Sequence, residues 1–456
     1  MPSGLDPKIR QGVTSTIVGN CGHGVAPSGR FGNDIQDYSS PVLGPGPEAW
    51  PWPRFSDYLK ALRLANPPIR VHSLVPHGVA RMSVMGFDPR PATATEEHQI
   101  IAAVRDGLQA GAIGASFGLM YAPACFAARS ELVAVARQVA EVEGVLSVHL
   151  RAEGEHIFAA LDEIHDIVTA SGANVHISHM KCTGVRNHGQ MARVVTELER
   201  WRASGIPVTG DIYPYTAGST TICAMLPESA LAGGIRSMLH RLQDPQARQE
   251  LIEALGRPWP LTENHLLACG AENIVLTGLT NPHNRMFEGR PVAEVARARD
   301  ITPEAALVDL VTEENGRAGV IQHQGSEADL LTALQWKHTM VGSDGLPAGP
   351  DRLAHPRLFG TFPRVLGHYV REESALSMQD AIWRMTGSPA EKFGLSGEGL
   401  IGEGARGDVV VFDPENVLDN ATYTKPRAES SGIDQVWADG ELIFSQSPAL
   451  DAQGSA

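Results

Sequence analysis

The chain has 456 residues, of which 43% are hydrophobic and 20% are charged, and its net charge is -15. This acidic balance argues against a nucleic-acid surface, which needs concentrated Lys and Arg. No apolar run reaches the roughly 18 residues of a membrane span, and the five scattered cysteines imply no disulfide framework, which favours a cytoplasmic protein.

Strand patterns and helix patterns alternate through the first half of the chain. The β-branched residues over 13–20 predict a buried strand that ends at Cys21, and a polar loop is expected from there to residue 53. Helices are predicted over 54–65, 95–110, 129–142, 155–170 and 188–203. Further strands are predicted over 69–75, 113–117, 145–150, 174–179 and 206–212. This order predicts a parallel sheet with crossover helices.

The alternation predicts the α/β class and, more narrowly, a (β/α)8 barrel of the TIM type. We interpret residues 226–338 as a long insertion before the next strand, 339–344, and a helix over 374–386 closes the barrel. The expected domains are a barrel over 1–397, a small β domain over 398–445 and a tail over 446–456. Seven barrel strands are counted where this fold has eight. We therefore expect strand 1 to be missing from this chain.

Four metal-binding side chains lie at or near the carboxyl ends of predicted strands: Cys21, His149, His179 and Asp344. Taken singly, the Cys suits a buried structural thiol, each His a core residue and the Asp a turn. In a barrel, however, these strand ends converge on one face, and all four side chains are of the types that bind zinc. Together they favour a catalytic zinc site. A metal-bound water would be the nucleophile, and Asp344 would take its proton and pass it to a leaving nitrogen.

Five further side chains follow or overhang strand ends. Lys181 shares a strand face with the second predicted His ligand, where its charge suits an anion. Arg357 lies in the loop after the last barrel strand and is a bidentate carboxylate binder by its chemistry. Tyr121, Tyr213 and Ser219 follow two other strand ends. Each of these three is either a pocket residue or ordinary packing.

A series of motifs then occurs in a fixed order along the chain. They are GVTSTIVGNCG (12–22), GASFGLMY (114–121), HLRAEG (149–154), ISHMK (177–181), DIYPYT (211–216), VGSDG (341–345), HPRLFGTFPRVL (355–366) and GDVVVFD (407–413). The set resembles the N-acyl-D-amino-acid deacylases (D-aminoacylases) of the amidohydrolase superfamily. The resemblance implies a zinc enzyme that hydrolyses the amide of an N-acyl-D-amino acid to a D-amino acid and a carboxylate.

The resemblance also implies roles for individual residues. Cys21, His149 and His179 would hold a tight zinc ion, and Asp344 would be the general acid/base. The positions that would line the site of a small N-acyl amino acid are Lys181, Arg357, Tyr121, Tyr213 and Ser219, with Arg357 and Lys181 on the α-carboxylate.

One departure from the family pattern concerns a His-x-His pair, which the family carries on strand 1. Residues 1–20 contain no histidine, so we expect a truncated N-terminus and at most one complete zinc site. Two alternatives stay open. A cyclic-amide hydrolase of the hydantoinase or dihydroorotase kind is disfavoured, because those enzymes usually use a carboxylated lysine where this chain has Cys21. A truncated, non-catalytic paralogue is disfavoured by the retention of Asp344, Lys181 and Arg357.

Overall fold

Parallel strands and crossover helices alternate along most of the chain, as the sequence pattern predicts. The computed structural model describes residues 5–44, 50–349 and 352–446. Its strands are β1 (Ser15–Val18), β2 (Arg70–Ser73), β3 (Val75–Pro76), β4 (Gly114–Gly118), β5 (Val145–His149), β6 (Asn174–Ile177), β7 (Thr209–Ile212), β8 (Ala217–Thr221), β9 (Ile274–Thr277), β10 (Gly319–His323), β11 (Thr339–Val341), β12 (Val409–Phe412), β13 (Ile433–Ala438) and β14 (Glu441–Ser445).

The α-helices occupy most of the intervals between the strands. They are α1 (Asp6–Ile9), α2 (Gly32–Leu43), α3 (Phe55–Ala65), α4 (His77–Met85), α5 (Ala94–Gln109), α6 (Arg129–Glu141), α7 (Ile157–Ser171), α8 (Met191–Ala203), α9 (Gly234–Arg241), α10 (Pro245–Leu255), α11 (His265–Cys269), α12 (Val292–Arg299), α13 (Pro303–Glu313), α14 (Glu327–Gln335), α15 (Arg357–Arg364), α16 (Met378–Met385) and α17 (Gly387–Lys392). A π-helical segment, Val365–Glu372, continues α15. None of the described helices has both the length and the apolar character that crossing a membrane requires.

The barrel is built from seven parallel strands in the described part of the chain, if β2 and β3, which only Leu74 separates, are counted as one. Strands β11, β7, β6, β5, β4 and β3 pair in that order, and β2 pairs with β1. Among the described residues, β1 pairs only with β2 and β11 only with β7, so the strands form an open ring. The predicted α/β barrel is confirmed, and the carboxyl ends of its strands share one face.

The helices that follow the barrel strands each turn one apolar face to the sheet. Ile100 and Val104, four residues apart on α5, are fully buried, and so are Ile164 and Ile167, three apart on α7. Residues at these spacings lie on the same side of a helix. They belong to one apolar cluster with strand residues such as Phe117. This cluster is the core that holds the strand ends in place.

A helix replaces part of the predicted polar loop after Cys21. The loop interpretation is wrong over α2, because Ile35, Tyr38 and Val42 are spaced helically and are buried. The polar residues between them, together with Pro41 inside the helix, conceal this spacing in the sequence. Residues 45–49 of the predicted loop lie outside the described residues.

The chain segment between β7 and β11 forms a second, antiparallel sheet. In it β10 pairs with β8 on one side and with β9 on the other. Neither β8 nor β10 was predicted, because Gly, Ser, Thr, Gln and His interrupt their apolar runs. Helices α9 to α13 pack with this sheet around a separate apolar cluster. We propose on this basis that the insertion at about 226–338 packs around this cluster, to which α2 and α4 also contribute buried residues.

A three-stranded antiparallel sheet, β12–β13–β14, follows the barrel. Arg70 at the start of β2 connects it to the barrel, because its guanidinium contacts the carboxylate of Asp408 and lies 2.7 Å from that of Asp439. We propose residues 398–445 as the small β domain. Residues 447–456 of the predicted tail lie outside the described residues.

Gly118, the last residue of β4, provides a test of the packing around Cys21. A Cβ atom at Gly118 would lie 1.9 Å from the carbonyl oxygen of Cys21. We expect Gly118→Ala to lower the free energy of unfolding by about 3 kcal/mol in urea denaturation, because the backbone must move to admit the methyl group. Gly256→Ala is the control, since its Cβ would meet its nearest neighbour only at 3.5 Å. Equal stability of Gly118→Ala and the unmodified protein would contradict this packing.

Candidate active site

The carboxyl ends of β1, β5 and β6 bring three metal-binding side chains together. The Sγ atom of Cys21 lies 3.2 Å from Nε2 of His179, and Nδ1 of His149 lies 2.8 Å from the same nitrogen. The three ligand atoms all lie within 4.8 Å of one another. Both imidazoles are buried, and Cys21 is half-buried. Three of the four predicted metal ligands therefore meet at one point, which we call the Cys–His–His cluster.

Backbone strain marks two residues of this cluster and also Asp344. Cys21, His179 and Asp344 have φ angles of 58°, 36° and 44°, in the left-handed region that residues with a side chain seldom adopt. Such a conformation costs about 1–3 kcal/mol per residue and concentrates at functional sites. Each of the three follows the end of a barrel strand. The strain is an indication of a functional site that is independent of the ligand distances.

Side chains of neighbouring strands hold these turns. The Ser116 hydroxyl on β4 accepts a hydrogen bond from the N–H of Gly22 at 3.0 Å and donates one to the carbonyl of Gly19. The Asp211 carboxylate on β7 accepts a hydrogen bond from the backbone N–H of His179 at 2.8 Å. The turns after β1 and β6 are thus fixed by the barrel itself.

The chemistry of the Cys–His–His cluster fits a divalent metal ion of the zinc type. Thiolate and imidazole are the ligands that such ions prefer. Burial lowers the pKa of His149 well below its ordinary value. Although burial works against it, the charge of Cys21 raises the pKa of His179 well above its ordinary value. Burial raises the pKa of the Cys21 thiol. Its thiolate therefore needs a cation close by, which a bound metal supplies.

Asp344, the fourth predicted ligand, is not in the Cys–His–His cluster among the described residues. Its carboxylate lies 2.9 Å from Nη2 of Arg357, which is only 1% exposed. Nη2 also donates to the carbonyl of Ser219 at 3.3 Å, and the guanidinium lies 4.5 Å from the ring centre of Tyr213. Metal ligation by Asp344 stays a prediction, while its position beside the predicted carboxylate binder is observed.

The guanidinium of Arg357 has N–H donors that make no hydrogen bond within the described residues. Its Nε and Nη1 atoms are buried and have no hydrogen-bond partner in the described part of the chain. Buried N–H groups in folded proteins are almost always paired, and guanidinium groups bind carboxylates strongly. The free donors of Arg357 therefore suit an anionic ligand.

Lys181 and Tyr121 flank the two imidazoles. The ammonium of Lys181 lies 2.7 Å from the carboxylate of Glu153 and 2.8 Å from Nδ1 of His179. The ring centre of Tyr121 lies 4.9 Å from that of His149. Lys181 and Tyr121 therefore lie beside the Cys–His–His cluster, and Tyr213 and Ser219 lie beside Arg357. Their individual roles stay predictions.

Two residues of the site were missed by the sequence reasoning. Glu153 stands in a predicted motif, but its position in a loop four residues after His149 gave no sign of where its carboxylate would point. Although burial works against it, the charge of Lys181 holds the pKa of Glu153 well below its ordinary value. Lys8 reaches the hydroxyl of Ser343 at 3.4 Å from 335 positions away. A contact between residues so far apart in the sequence leaves no recognisable pattern in the local sequence.

Comparisons with known proteins identify the family. A model of the amidohydrolase family matches residues 2–444. The chain is 34% identical, over 454 aligned residues, to an N-acyl-D-glutamate deacylase of Alcaligenes xylosoxydans xylosoxydans. The alignment covers 99% of this chain and 81% of that protein. A D-aminoacylase of the same organism is also 34% identical, over 97% of this chain and 80% of its own length.

Solved structures give the same result. A crystal structure of D-aminoacylase is 34% identical and matches with a TM-score of 0.78, covering 98% of this chain and 82% of that one. The N-acyl-D-glutamate deacylase of Bordetella bronchiseptica, complexed with zinc and a phosphonate inhibitor, is 31% identical and matches with a TM-score of 0.80 over 98% and 83% of the two chains. The chain therefore belongs to the amidohydrolase family, in the group of N-acyl-D-amino-acid deacylases that its motifs resemble.

Proposed function

We propose that the protein is a zinc-dependent deacylase, which hydrolyses the amide bond of N-acyl-D-amino acids to a D-amino acid and a carboxylate. The observation that carries this proposal is the Cys–His–His cluster, accompanied by the buried guanidinium of Arg357, which pairs with Asp344 and has free donors. The cluster suits a metal that activates water, and the guanidinium suits the α-carboxylate of any N-acyl amino acid. The names of the relatives, N-acyl-D-glutamate deacylase and D-aminoacylase, support the D configuration.

Cys21, His149 and His179 would hold one zinc ion. Three protein ligands leave the fourth tetrahedral position open, as in catalytic zinc sites. When bound, zinc supplies Lewis acidity and brings the pKa of a water molecule close to neutrality. Within the described ranges, Cys21, His149 and His179 form a cluster of three such ligand residues, which supports one zinc ion at this position.

Asp344 would be the general base and then the general acid. Its carboxylate takes a proton from the attacking water and delivers it to the leaving nitrogen, so that the product departs as a neutral amine. The 2.9 Å ion pair with Arg357 orients this carboxylate. The left-handed backbone at Asp344 fixes the direction in which its side chain leaves the strand end.

The substrate would be a small N-acyl amino acid held mainly by its α-carboxylate. Because Nη2 of Arg357 is engaged by Asp344, its Nε and Nη1 are the donors available to the substrate. Lys181 supplies a second positive charge beside the cluster. Tyr121, Tyr213 and Ser219 would line the remaining walls. The cysteines, which are all free, support the cytoplasmic location expected from the sequence.

The first test is the reaction itself. Zinc-loaded protein is expected to release free amino acid from N-acetyl-D-methionine or N-acetyl-D-glutamate, measured by fluorescent derivatisation of the new primary amine. The L enantiomers test the configuration, and a 5-substituted hydantoin tests the preference for linear amides. The proposal fails if folded, zinc-loaded protein releases no amino acid from either D substrate.

The second test separates proton transfer from metal binding. Asp344→Asn is expected to lower kcat by about 100-fold to 10,000-fold, because the amide cannot shuttle a proton, while zinc content measured by elemental analysis stays the same. Asp434→Asn, at an exposed position of the β domain, is the matched control and should leave kcat unchanged. An Asp344→Asn variant with full activity would rule out this role, and loss of zinc from it would make Asp344 a ligand instead.

A further inference from the structure

Glu153 is a buried carboxylate for which the proposed reaction has no use. It is 6% exposed and stands behind the two imidazoles of the Cys–His–His cluster. Its Oε1 lies 3.1 Å from Nδ1 of His179, and its Oε2 lies 4.0 Å from Nε2 of His149. One carboxylate therefore faces both histidines, with one oxygen directed to each ring.

The two rings present different nitrogens to the cluster. His149 directs Nδ1 toward Cys21 and His179, whereas His179 directs Nε2 toward the other two ligands. A neutral imidazole carries one proton, and the nitrogen that binds a metal must be the one without it. Ligation thus requires the proton on Nε2 in His149 and on Nδ1 in His179. These are the two nitrogens that face Glu153.

The nitrogen of His149 that faces Glu153 makes no hydrogen bond to another described residue. Its Nε2 is buried and finds no hydrogen-bond partner among the described residues. An unpaired buried N–H is costly, and at 4.0 Å the Glu153 oxygen needs only a small approach to accept its proton. The same carboxylate lies 3.1 Å from Nδ1 of His179. The ammonium of Lys181, which can only donate, lies 2.8 Å from that nitrogen, so a protonated Nδ1 requires Lys181 to direct its N–H groups to Glu153 instead.

The position of Glu153 is itself held from several sides. The carboxylate of Glu263 accepts hydrogen bonds from the backbone N–H groups of Glu153 and Gly154, both at 2.9 Å. The carbonyl of Glu153 accepts a hydrogen bond from the N–H of Thr183 at 2.7 Å. Lys181 donates to Oε1 at 2.7 Å, so the buried negative charge is paired. A carboxylate fixed in this way is a permanent acceptor.

We propose that Glu153 is a positioning residue of the metal centre, whose carboxylate accepts the protons of the metal-remote nitrogens and so fixes the opposite tautomers of His149 and His179. Carboxylate–histidine–metal arrangements of this kind orient the rings and make them more basic ligands. In this arrangement Lys181 has a structural role as well, because it neutralises Glu153. The inference rests on the proposed function only in taking Cys21, His149 and His179 as the metal ligands.

The test is zinc affinity, measured by competition with a chromophoric chelator in the absence of substrate. Glu153→Gln keeps the shape of the side chain but removes the charge and one acceptor. We expect its Kd for zinc to rise by about 10-fold to 100-fold, the usual effect of removing such a partner. The visible absorption of the cobalt-substituted protein should shift at the same time, because the ligand field changes with ring orientation.

Glu314→Gln is the matched control. Glu314 is also buried, at 1% exposed, and its carboxylate accepts backbone hydrogen bonds from Thr280 and Asn281 in the insertion. This variant is expected to lose thermal stability while keeping its zinc affinity and cobalt spectrum. If Glu314→Gln loses as much zinc affinity as Glu153→Gln does, the loss reflects a general destabilisation of the fold and the proposal is overturned.

Unchanged zinc affinity in folded Glu153→Gln overturns the proposal directly. If that variant does not fold, Glu153→Asp takes its place, since it keeps the charge and withdraws the carboxylate by one methylene group. Weaker zinc binding by this variant supports the proposal, and wild-type binding overturns it. Because zinc binding is measured without substrate, these outcomes are independent of whether the protein deacylates N-acyl-D-amino acids.

Discussion

Parallel pairing of the barrel strands is the constraint on which the whole site depends. It carries the ends of β1, β5, β6 and β11 to one face, although their residues are far apart in the sequence. Gly118 shows how tight this constraint is. It is the register partner of His149 on β5 and also contacts the carbonyl of Cys21. Two of the three metal-ligand positions are thus tied to one glycine, and a shift of register by one residue would turn the His149 side chain to the opposite side of the sheet.

Paired charges buried behind the metal ligands are the second organising feature. Arg357 is paired with Asp344, and Lys181 with Glu153, so each cation lies against a carboxylate, and the second pair lies beside His179. Pairing is what makes charge at this depth tolerable. The buried nitrogens without a hydrogen-bond partner in the described structure include Nε and Nη1 of Arg357 and Nε2 of His149, which an anionic substrate and Glu153 would satisfy under the two proposals.

Much of this site could be predicted because the residues of the Cys–His–His cluster lie at or just after the ends of strands that the sequence predicts. Cys21, His149 and His179 follow β-branched or apolar runs that are easily recognised, and the order of strands and helices implies that such ends converge. Glu153 and Lys8 were missed because they reach the site from a loop and from a distant helix, where periodicity carries no information. Helix α2 was missed because its three buried apolar residues are outnumbered by polar ones. Strands β8 and β10 were missed because tertiary packing, rather than local propensity, makes them strands.

A single zinc ion bound by one thiolate and two imidazoles is the central claim, and X-ray absorption at the zinc edge measures it most directly. The protein loaded with one equivalent of zinc is expected to show one sulfur neighbour at about 2.3 Å, with nitrogen or oxygen neighbours at about 2.0–2.1 Å. The sulfur contribution should vanish in Cys21→Ala. A spectrum of the unmodified protein without a sulfur neighbour would contradict the claim.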